Sequence, residues 1–439
     1  MVKVVKFGGS SLASSEQFKK VGNIIKSDEA RRYVVPSAPG KRFGKDTKVT
    51  DLLYKCYAAA ERDEDFEEIL GLIKGRYQEI IDGLSLTADL TEEFDKIREN
   101  FKKKAGSDYA ASRGEYLNGI LMANYLGYTF VDSADYIKFD SEGYFDADLT
   151  QKLLSEKLLS LSNAVVPGFY GSLPSGRVKT FSRGGSDVTG SIVAKAVHAS
   201  VYENWTDVSG FLIADPRIVD SPEAIDTITY KELRELSYMG ASVLHEDAIF
   251  PVKSEGIPIN IRNTNRPADK GTLIVENTCR KSKFVITGIA GKKDFASVTI
   301  EKAMMNSQVG FCKNVLEVFE KFDISIEHMP SGIDTMTIFV HQDEFEEKEQ
   351  QVIAEINRRI RPDEIILESD LALIAIVGRG MKATRGTAGR IFSALAHAHI
   401  NVKMIDQGSS ELNIIIGVRN HDFEHAIKAI YDIFVNIMI

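Results

Sequence analysis

The sequence predicts an α/β protein: an open, mainly parallel αβα sandwich followed by two small α+β modules. Three observations carry this. Up to about residue 275, short apolar β-runs alternate with amphipathic helical stretches, the pattern of a sheet with helices on both faces. At 277–283 the composition turns polar and basic, which reads as a linker. Beyond it the chain repeats itself with an offset of 76 residues.

Size and composition bound the answer. The 439 residues are 44% hydrophobic and 27% charged, ordinary values for a folded chain with a sizeable core. A net charge of −9 argues against a nucleic-acid or membrane surface, which would need a basic field. It leaves room for one nucleotide held by local lysines and arginines. Cys56, Cys279 and Cys312 lie far apart and are odd in number, so a reducing compartment and no disulfide framework are expected. No cysteine or histidine spacing predicts a metal site. The chain opens on a strand, and its longest apolar runs, 371–377 and 413–418, are too short to span a bilayer. The expected location is the cytoplasm.

The first β-run is Lys3-Val4-Val5-Lys6-Phe7, followed by Gly8-Gly9-Ser10-Ser11 and a helical stretch over 16–25. Paired glycines let backbone approach a ligand closely, and a helix start beyond them offers unpaired N–H groups to a phosphate. Lys6 adds a positive charge at the strand end. A second β-run at 32–36 leads into Ser37-Ala38-Pro39-Gly40, a basic loop over 41–48 and a helix start at Thr50. The loop superficially resembles a Walker motif, but its glycine spacing is short by one and Asp46 stands where a Ser or Thr is needed. Residues 61–105 read as a charged αα-hairpin, with Leu70, Ile73, Tyr77 and Ile81 at helical spacing. Ser112-Arg113-Gly114-Glu115 is expected to open the next helix. Further β-runs fall at 128–131, 164–166 and 178–181, the last leading into Ser182-Arg183-Gly184-Gly185-Ser186-Asp187 and a helix. A strand over 201–205 ends at Thr206-Asp207, Thr229 with Glu232 reads as a capping box, and strands at 257–261 and 272–275 close this part.

In the repeat, Val298-Thr299-Ile300 answers Ile374-Ala375-Ile376, Gly310 answers Gly386, and Ile338-Phe339-Val340 answers Ile414-Ile415-Ile416. Each copy reads strand, glycine turn, amphipathic helix, strand, loop, strand. Modules this small should pack on one another or on a second subunit.

Three glycine-bearing turns follow β-runs in the first part, at Gly8-Gly9, 38–40 and Gly184-Gly185. Such turns collect at the carboxyl ends of strands, where open α/β sheets bind ligands. Around them stand Lys6, Ser37, Glu115, Arg183 and Asp187, a set suited to a small zwitterion plus a phosphate: arginine grips a carboxylate, carboxylates answer an ammonium, and lysine takes phosphoryl oxygens. Each also has a plainer reading, Arg183 as a surface arginine, Asp187 as a helix cap, Glu115 as an acid at a helix start.

Together, Lys6 to Ser11, Ser112 to Glu115, Gly168-Phe169-Tyr170-Gly171, Ser182 to Asp187, and Trp205-Thr206-Asp207-Val208-Ser209-Gly210 with Asp215-Pro216-Arg217 resemble the aspartate kinases of the amino-acid kinase family, over nearly the whole chain. The resemblance implies ATP- and Mg2+-dependent phosphorylation of the β-carboxylate of L-aspartate to 4-phospho-L-aspartate. It implies catalytic roles for Lys6 and Asp187, and aspartate binding by Ser37, Thr50, Glu115, Phe169, Arg183, Gly184, Gly185 and Ser186. Nucleotide contacts fall to Lys6, Gly8, Gly9, Ser10, Thr206, Asp207 and Arg217. Two positions depart from the pattern: Ser242 stands where some relatives have a nucleotide-contacting lysine, and Leu212 aligns with a pocket tyrosine.

The tandem repeat resembles paired ACT modules of ferredoxin-like fold, which sense pathway end products. Domains are expected at 1–280, 284–370 and 371–439, with the 284–300 strands packing with the second module. Met305, Ser307, Gly310, Phe311, Glu327, Ser331 and Asp334 resemble the effector site of lysine-regulated members, with L-lysine, L-threonine or both as effector. A homodimer or homotetramer through these modules is implied. With no Rossmann-type extension, the monofunctional form is expected. The competing readings are a kinase for another small amino acid such as glutamate, and an amino-acid sensor without turnover.

Overall fold

The computed structural model describes residues 1–182, 184–241, 244, 248–278 and 282–436. Arg183, Ser242 and Cys279 lie outside the described residues. The chain divides into two compact units: Met1–Phe211, Ala224–Tyr230 and Val243–Thr278 form the first, and Leu212–Glu223, Lys231–Ser242 and Cys279–Ile439 the second. Two short stretches inside the expected 1–280 domain therefore belong to the second unit.

The strands of the first unit are β1 (Lys3–Phe7), β2 (Arg31–Pro36), β3 (Thr129–Phe130), β4 (Ala164–Val165), β5 (Tyr170–Ser172), β6 (Val178–Thr180), β7 (Val201–Thr206), β8 (Thr227–Thr229), β9 (Ile259–Asn263) and β10 (Thr272–Val275). Eight of them form one sheet in the order β3-β4-β2-β1-β7-β9-β10-β8. Its pairings are parallel except β9 with β10. Strand alternation divides β1 between two faces. Val5 and Phe7 enter a core with the helices Ser15–Lys26, Val49–Glu61, Glu67–Leu84, Thr91–Lys102 and Ser107–Leu126. Phe7 stacks on Trp205 with ring centroids 6.0 Å apart. Burying a side chain of this size stabilises the fold by about 1.5–3 kcal/mol. Lys6 points to the other face, opposite its register partner Asn204 and toward the helix Gly185–Ala196.

Two sequence expectations change. Ser112 to Glu115 do not open a helix: the helix runs Ser107–Leu126 and begins after Gly106, whose φ of 104° makes the turn. The run Ser107 to Ala111 has no breaker, so the helix extends back to that glycine. The turn at Gly184-Gly185 does not follow a strand of the main sheet. β5 and β6 form a separate antiparallel ribbon, and the chain passes from it into the Gly185–Ala196 helix.

The second unit holds β11 (Gly288–Glu301), β12 (Ile326–His328), β13 (Thr335–His341), β14 (Glu364–Val377), β15 (Met404–Asp406) and β16 (Asn413–Arg419) in one antiparallel sheet, ordered β12-β13-β11-β14-β16-β15. β11 and β14 pair from Gly288↔Val377 to Glu301↔Glu364. Each is interrupted by an aspartate with left-handed backbone, Asp294 (φ 67°) and Asp370 (φ 58°). Before its interruption β11 borders the half of β14 that pairs with β16; after it β11 pairs with β13. The first strand of the unit thus serves both copies of the repeat. Ala296, Val298 and Ile300 pack with the helices Phe311–Lys321 and Glu349–Ile360. Gly310 (φ 84°) and Gly386 (φ 81°) cap equivalent helices with the same left-handed turn.

The carboxylate of Glu232, read in the sequence as part of a capping box, is fully buried and accepts from Thr287 Oγ1 at 2.6 Å and from Arg379 Nη1 at 2.9 Å.

Candidate active site

At the carboxyl ends of β1 and β2 two glycine turns meet. Gly40 N donates to Gly9 O at 2.8 Å, Ser37 N to Phe7 O at 3.0 Å, and Gly8 N to Trp205 O at 3.0 Å. A Cβ on Gly40 would stand 2.6 Å from the carbonyl carbon of Gly9, and one on Gly9 2.9 Å from Ala38 O. Only glycine fits this approach of backbone to backbone. The turns edge a cleft of about 560 Å³. Of the expected site residues, Gly8, Gly9, Ser10, Ser37, Thr50, Glu115, Thr206 and Asp207 line it. Thr206 Oγ1 donates to Asp207 Oδ1 at 3.2 Å.

Beside Gly8, Lys6 Nζ lies 2.5 Å from Asp187 Oδ1. Both side chains are largely buried. Asn204, which sequence reasoning missed, ties them together: its Nδ2 donates to Asp187 Oδ1 at 2.9 Å and its Oδ1 accepts from Lys6 Nζ at 3.4 Å. Its one signal in the sequence is an amide inside the strand Tyr202-Glu203-Asn204-Trp205. Asp187 is held at the first turn of its helix by Asp187 N donating to Gly184 O at 2.8 Å. Gly184, at φ 58°, precedes that helix.

Phe169 has φ 81°, rare for a non-glycine residue and costing about 1–3 kcal/mol. Its N–H donates to Thr189 Oγ1 at 3.0 Å, and its carbonyl accepts from Phe181 N at 2.9 Å. A Cβ on Gly185 would be 2.5 Å from Phe169 Cδ2, and one on Gly168 would be 2.6 Å from Ser186 Cβ. Phe169, Gly184, Gly185 and Ser186 therefore form one interlocked turn.

Glu115 is 6% exposed, and its Oε2 has no hydrogen-bond partner among the described residues. Burial pushes its carboxyl up to about 7, against the backbone N–H of Ala38 and the charges of Lys6 and Arg113. Behind Ser37, Asn118 Nδ2 donates to Ser37 O at 2.6 Å, a second contact the sequence did not disclose.

Arg217 belongs to the second unit, is 87% exposed and pairs with Asp215 at 2.6 Å. Arg183 lies outside the described residues. Of the expected effector residues, Met305 and Phe311 bury their side chains in the core of the first copy, which leaves their backbone for any ligand contact. Asp334 Oδ1 accepts from Met304 N at 2.9 Å, and Ser307 Oγ donates to Met304 O at 3.0 Å. Glu327 accepts from Tyr238 OH at 2.7 Å and faces His341 Nε2 at 3.3 Å. Ser331 is exposed and bridges to Met336.

Comparison with known proteins narrows the class. Residues 1–263 match the model of the amino acid kinase family, and 374–434 that of the ACT domain. Aspartokinase 3 of Bacillus subtilis (strain 168) is 39% identical over 452 residues, 99% of this chain and 98% of its own. The crystal structure of aspartate kinase from Clostridium acetobutylicum matches with TM-score 0.94 at 54% identity, covering 99% of this chain and 100% of that one. E. coli aspartokinase III, in complex with aspartate and ADP, shares the fold at TM-score 0.73 and 24% identity, covering 99% of each chain. Fold and cleft thus define an amino acid kinase. Within that class, the chain belongs to the aspartokinases.

Proposed function

We propose that this chain transfers the γ-phosphoryl group of ATP to the β-carboxylate of L-aspartate. The reading is carried by the cleft that the glycine turns line with Ser37, Thr50 and Glu115, with the Lys6–Asp187 pair beside Gly8, in a chain similar over its full length to aspartokinases. A carboxylate oxygen bonds to the γ-phosphorus while the bond from that phosphorus to the bridging oxygen breaks, and ADP leaves with the electron pair. The nucleophile is ionised at neutral pH, so no general base is required. Positioning and charge neutralisation do the catalysis.

Lys6 would meet charge on the transferring group, and Gly8, Gly9 and Ser10 would line the phosphates. Ser37 and Thr50 would place aspartate, Glu115 would face its ammonium, and Arg183 would hold its α-carboxylate. Thr206 and Asp207 would meet the nucleotide. Among the described residues no group of three or more His, Cys, Asp or Glu could hold a metal. Mg2+ would be carried mainly by phosphate oxygens, where it would neutralise charge.

We take 1–280 as the catalytic domain and 284–370 and 371–439 as regulatory modules that respond to L-lysine, L-threonine or both. The exposed side chains of Met304, Val309 and Ile333 support an interface between copies of the chain at these modules, as a dimer or tetramer.

Coupled ADP release with aspartate, glutamate and homoserine as acceptors tests the reaction. Turnover with aspartate is expected, slowed by lysine or threonine. Turnover with glutamate alone would overturn the reading.

A further inference from the structure

The loop over 41–48 borders the cleft, and the reaction as written leaves it without a role. It is a closed, fastened loop. Val49 N donates to Pro39 O at 3.2 Å across its base. One guanidinium spans its ends: Arg76, 5% exposed, donates through Nη2 to Gly40 O at 2.8 Å and through Nη1 to Thr47 O at 3.1 Å. Arg76 Nη1 also stands 3.1 Å from Asp46 Oδ2. Asp46 accepts from Arg42 Nε at 3.0 Å and Arg42 N at 2.9 Å, which holds its carboxyl far below the usual carboxylate range. Arg42 also reaches Glu79 at 2.6 Å. Arginines and aspartate are thus consumed in fixing the loop.

Its lysines are not. The side chains of Lys41, Lys45 and Lys48 have no acidic partner among the described residues, in contrast to Arg42 and Arg76. Lys41 and Lys48 line the cleft, while Lys45 lines an adjoining depression. The loop is also seated on the glycine turn, through the bond from Gly40 N to Gly9 O and the close approach of those two residues.

Charge then decides what the lysines are for. The charge of Lys6 is compensated by Asp187 at 2.5 Å. Among the described residues, the remaining titratable groups on the cleft wall besides the two lysines are Glu115 and Asp207, both acids. A triphosphate brings several negative charges to this wall, and a lysine ammonium meets phosphate as a point charge.

We propose that Lys41 and Lys48 bind the phosphate chain of the nucleotide, and that Arg76 is a positioning residue acting through the loop. The proposal rests on the kinase reading above, and its test separates the two. With the full-length chain, aspartate-dependent ADP release reports the reaction, and calorimetric binding of ADP without aspartate reports the loop. Wild-type binding of ADP without turnover would fail the kinase reading alone. The doubly substituted Lys41→Ala, Lys48→Ala chain should raise the KM for ATP and the Kd for ADP by about tenfold or more. Its KM for aspartate should stay within about twofold, and the salt dependence of ATP binding should flatten. Unchanged ADP and ATP affinity in that variant would overturn the lysine contacts. Arg76→Ala should raise the KM for ATP in the wild-type background and add little in the double-lysine background, because both act through the same contacts. An equal effect in both backgrounds would overturn the positioning role. Should Arg76→Ala not fold, Arg76→Lys serves in the same cycle, since one ammonium cannot span Gly40 O and Thr47 O as the guanidinium does.

Discussion

Lys6 and Asp187 meet at 2.5 Å, with Asn204 bonded to both. One residue lies near the end of the first strand, one stands in the first turn of a helix 181 positions later, and one lies beside Lys6 in the sheet. A charged lysine is thereby held in one place beside the glycine turn. Fixed charge of this kind acts on a transition state without reorganising at the moment of transfer.

Lys6→Ala should lower kcat by roughly 10²–10³-fold, the usual cost of removing one preorganised donor. Effector binding should survive, since the second unit contains no part of this pair. Steady-state ADP release and titration of lysine or threonine check both halves. A variant of near-normal rate would remove Lys6 from the mechanism.

Glu115 makes a pH prediction whose sign is definite. Its carboxyl rises from an ordinary 4.5 to about 7 on folding. Between those values the folded chain keeps a proton that the unfolded chain has released, so stability falls as pH rises through the window, by about 3 kcal/mol in all. Glu115→Gln should abolish that slope in thermal or urea unfolding and stabilise the ligand-free chain at pH 8. It should also weaken aspartate, whose ammonium would lose its partner. A slope equal to wild type would show that Glu115 is ionised in the folded chain.

Gly40→Ala places a methyl 2.6 Å from Gly9 backbone, where no side-chain rotation relieves it. The two turns must part. Stability should drop by about 1–3 kcal/mol, as for other overpacking, and the KM for ATP should rise. Alanine at Gly44, whose Cβ meets nothing within 4 Å, is the contrasting substitution for stability. Denaturant midpoints of the two variants check this.

Glu232→Ala removes a fully buried carboxylate from Thr287 and Arg379. Losing one partner of such a pair costs about 3–5 kcal/mol. The unfolding transition of the second unit should move to lower temperature, by calorimetry, well before any loss of the first unit's transition.

Much of this was legible in advance. Lys6 before Gly8-Gly9 reads as a strand end with a charged turn because the alternation of β1 and the helical period beyond it are local. The offset of 76 residues disclosed two like modules, and Gly310 and Gly386 take the same left-handed turn. Glu115 was misread as a helix start, because a run of helix-compatible residues moved the boundary back to Gly106. Arg217 resembles a nucleotide contact in sequence, and its pairing with Asp215 two residues away is seen only in the folded chain.

The sequence by itself determined the elements whose signal lies within one turn or one strand: glycine turns, amphipathic faces, the repeat and the residues at each turn. Tertiary structure alone decided which of them meet. Asn204 becomes part of the site through its register with Lys6, and β11 serves two modules through its pairing with β14. Arg76 reaches Gly40 and Thr47 across more than a helix of intervening chain. Such contacts depend on strand order and on charges left unpaired after folding, and neither has a period that a linear sequence can carry.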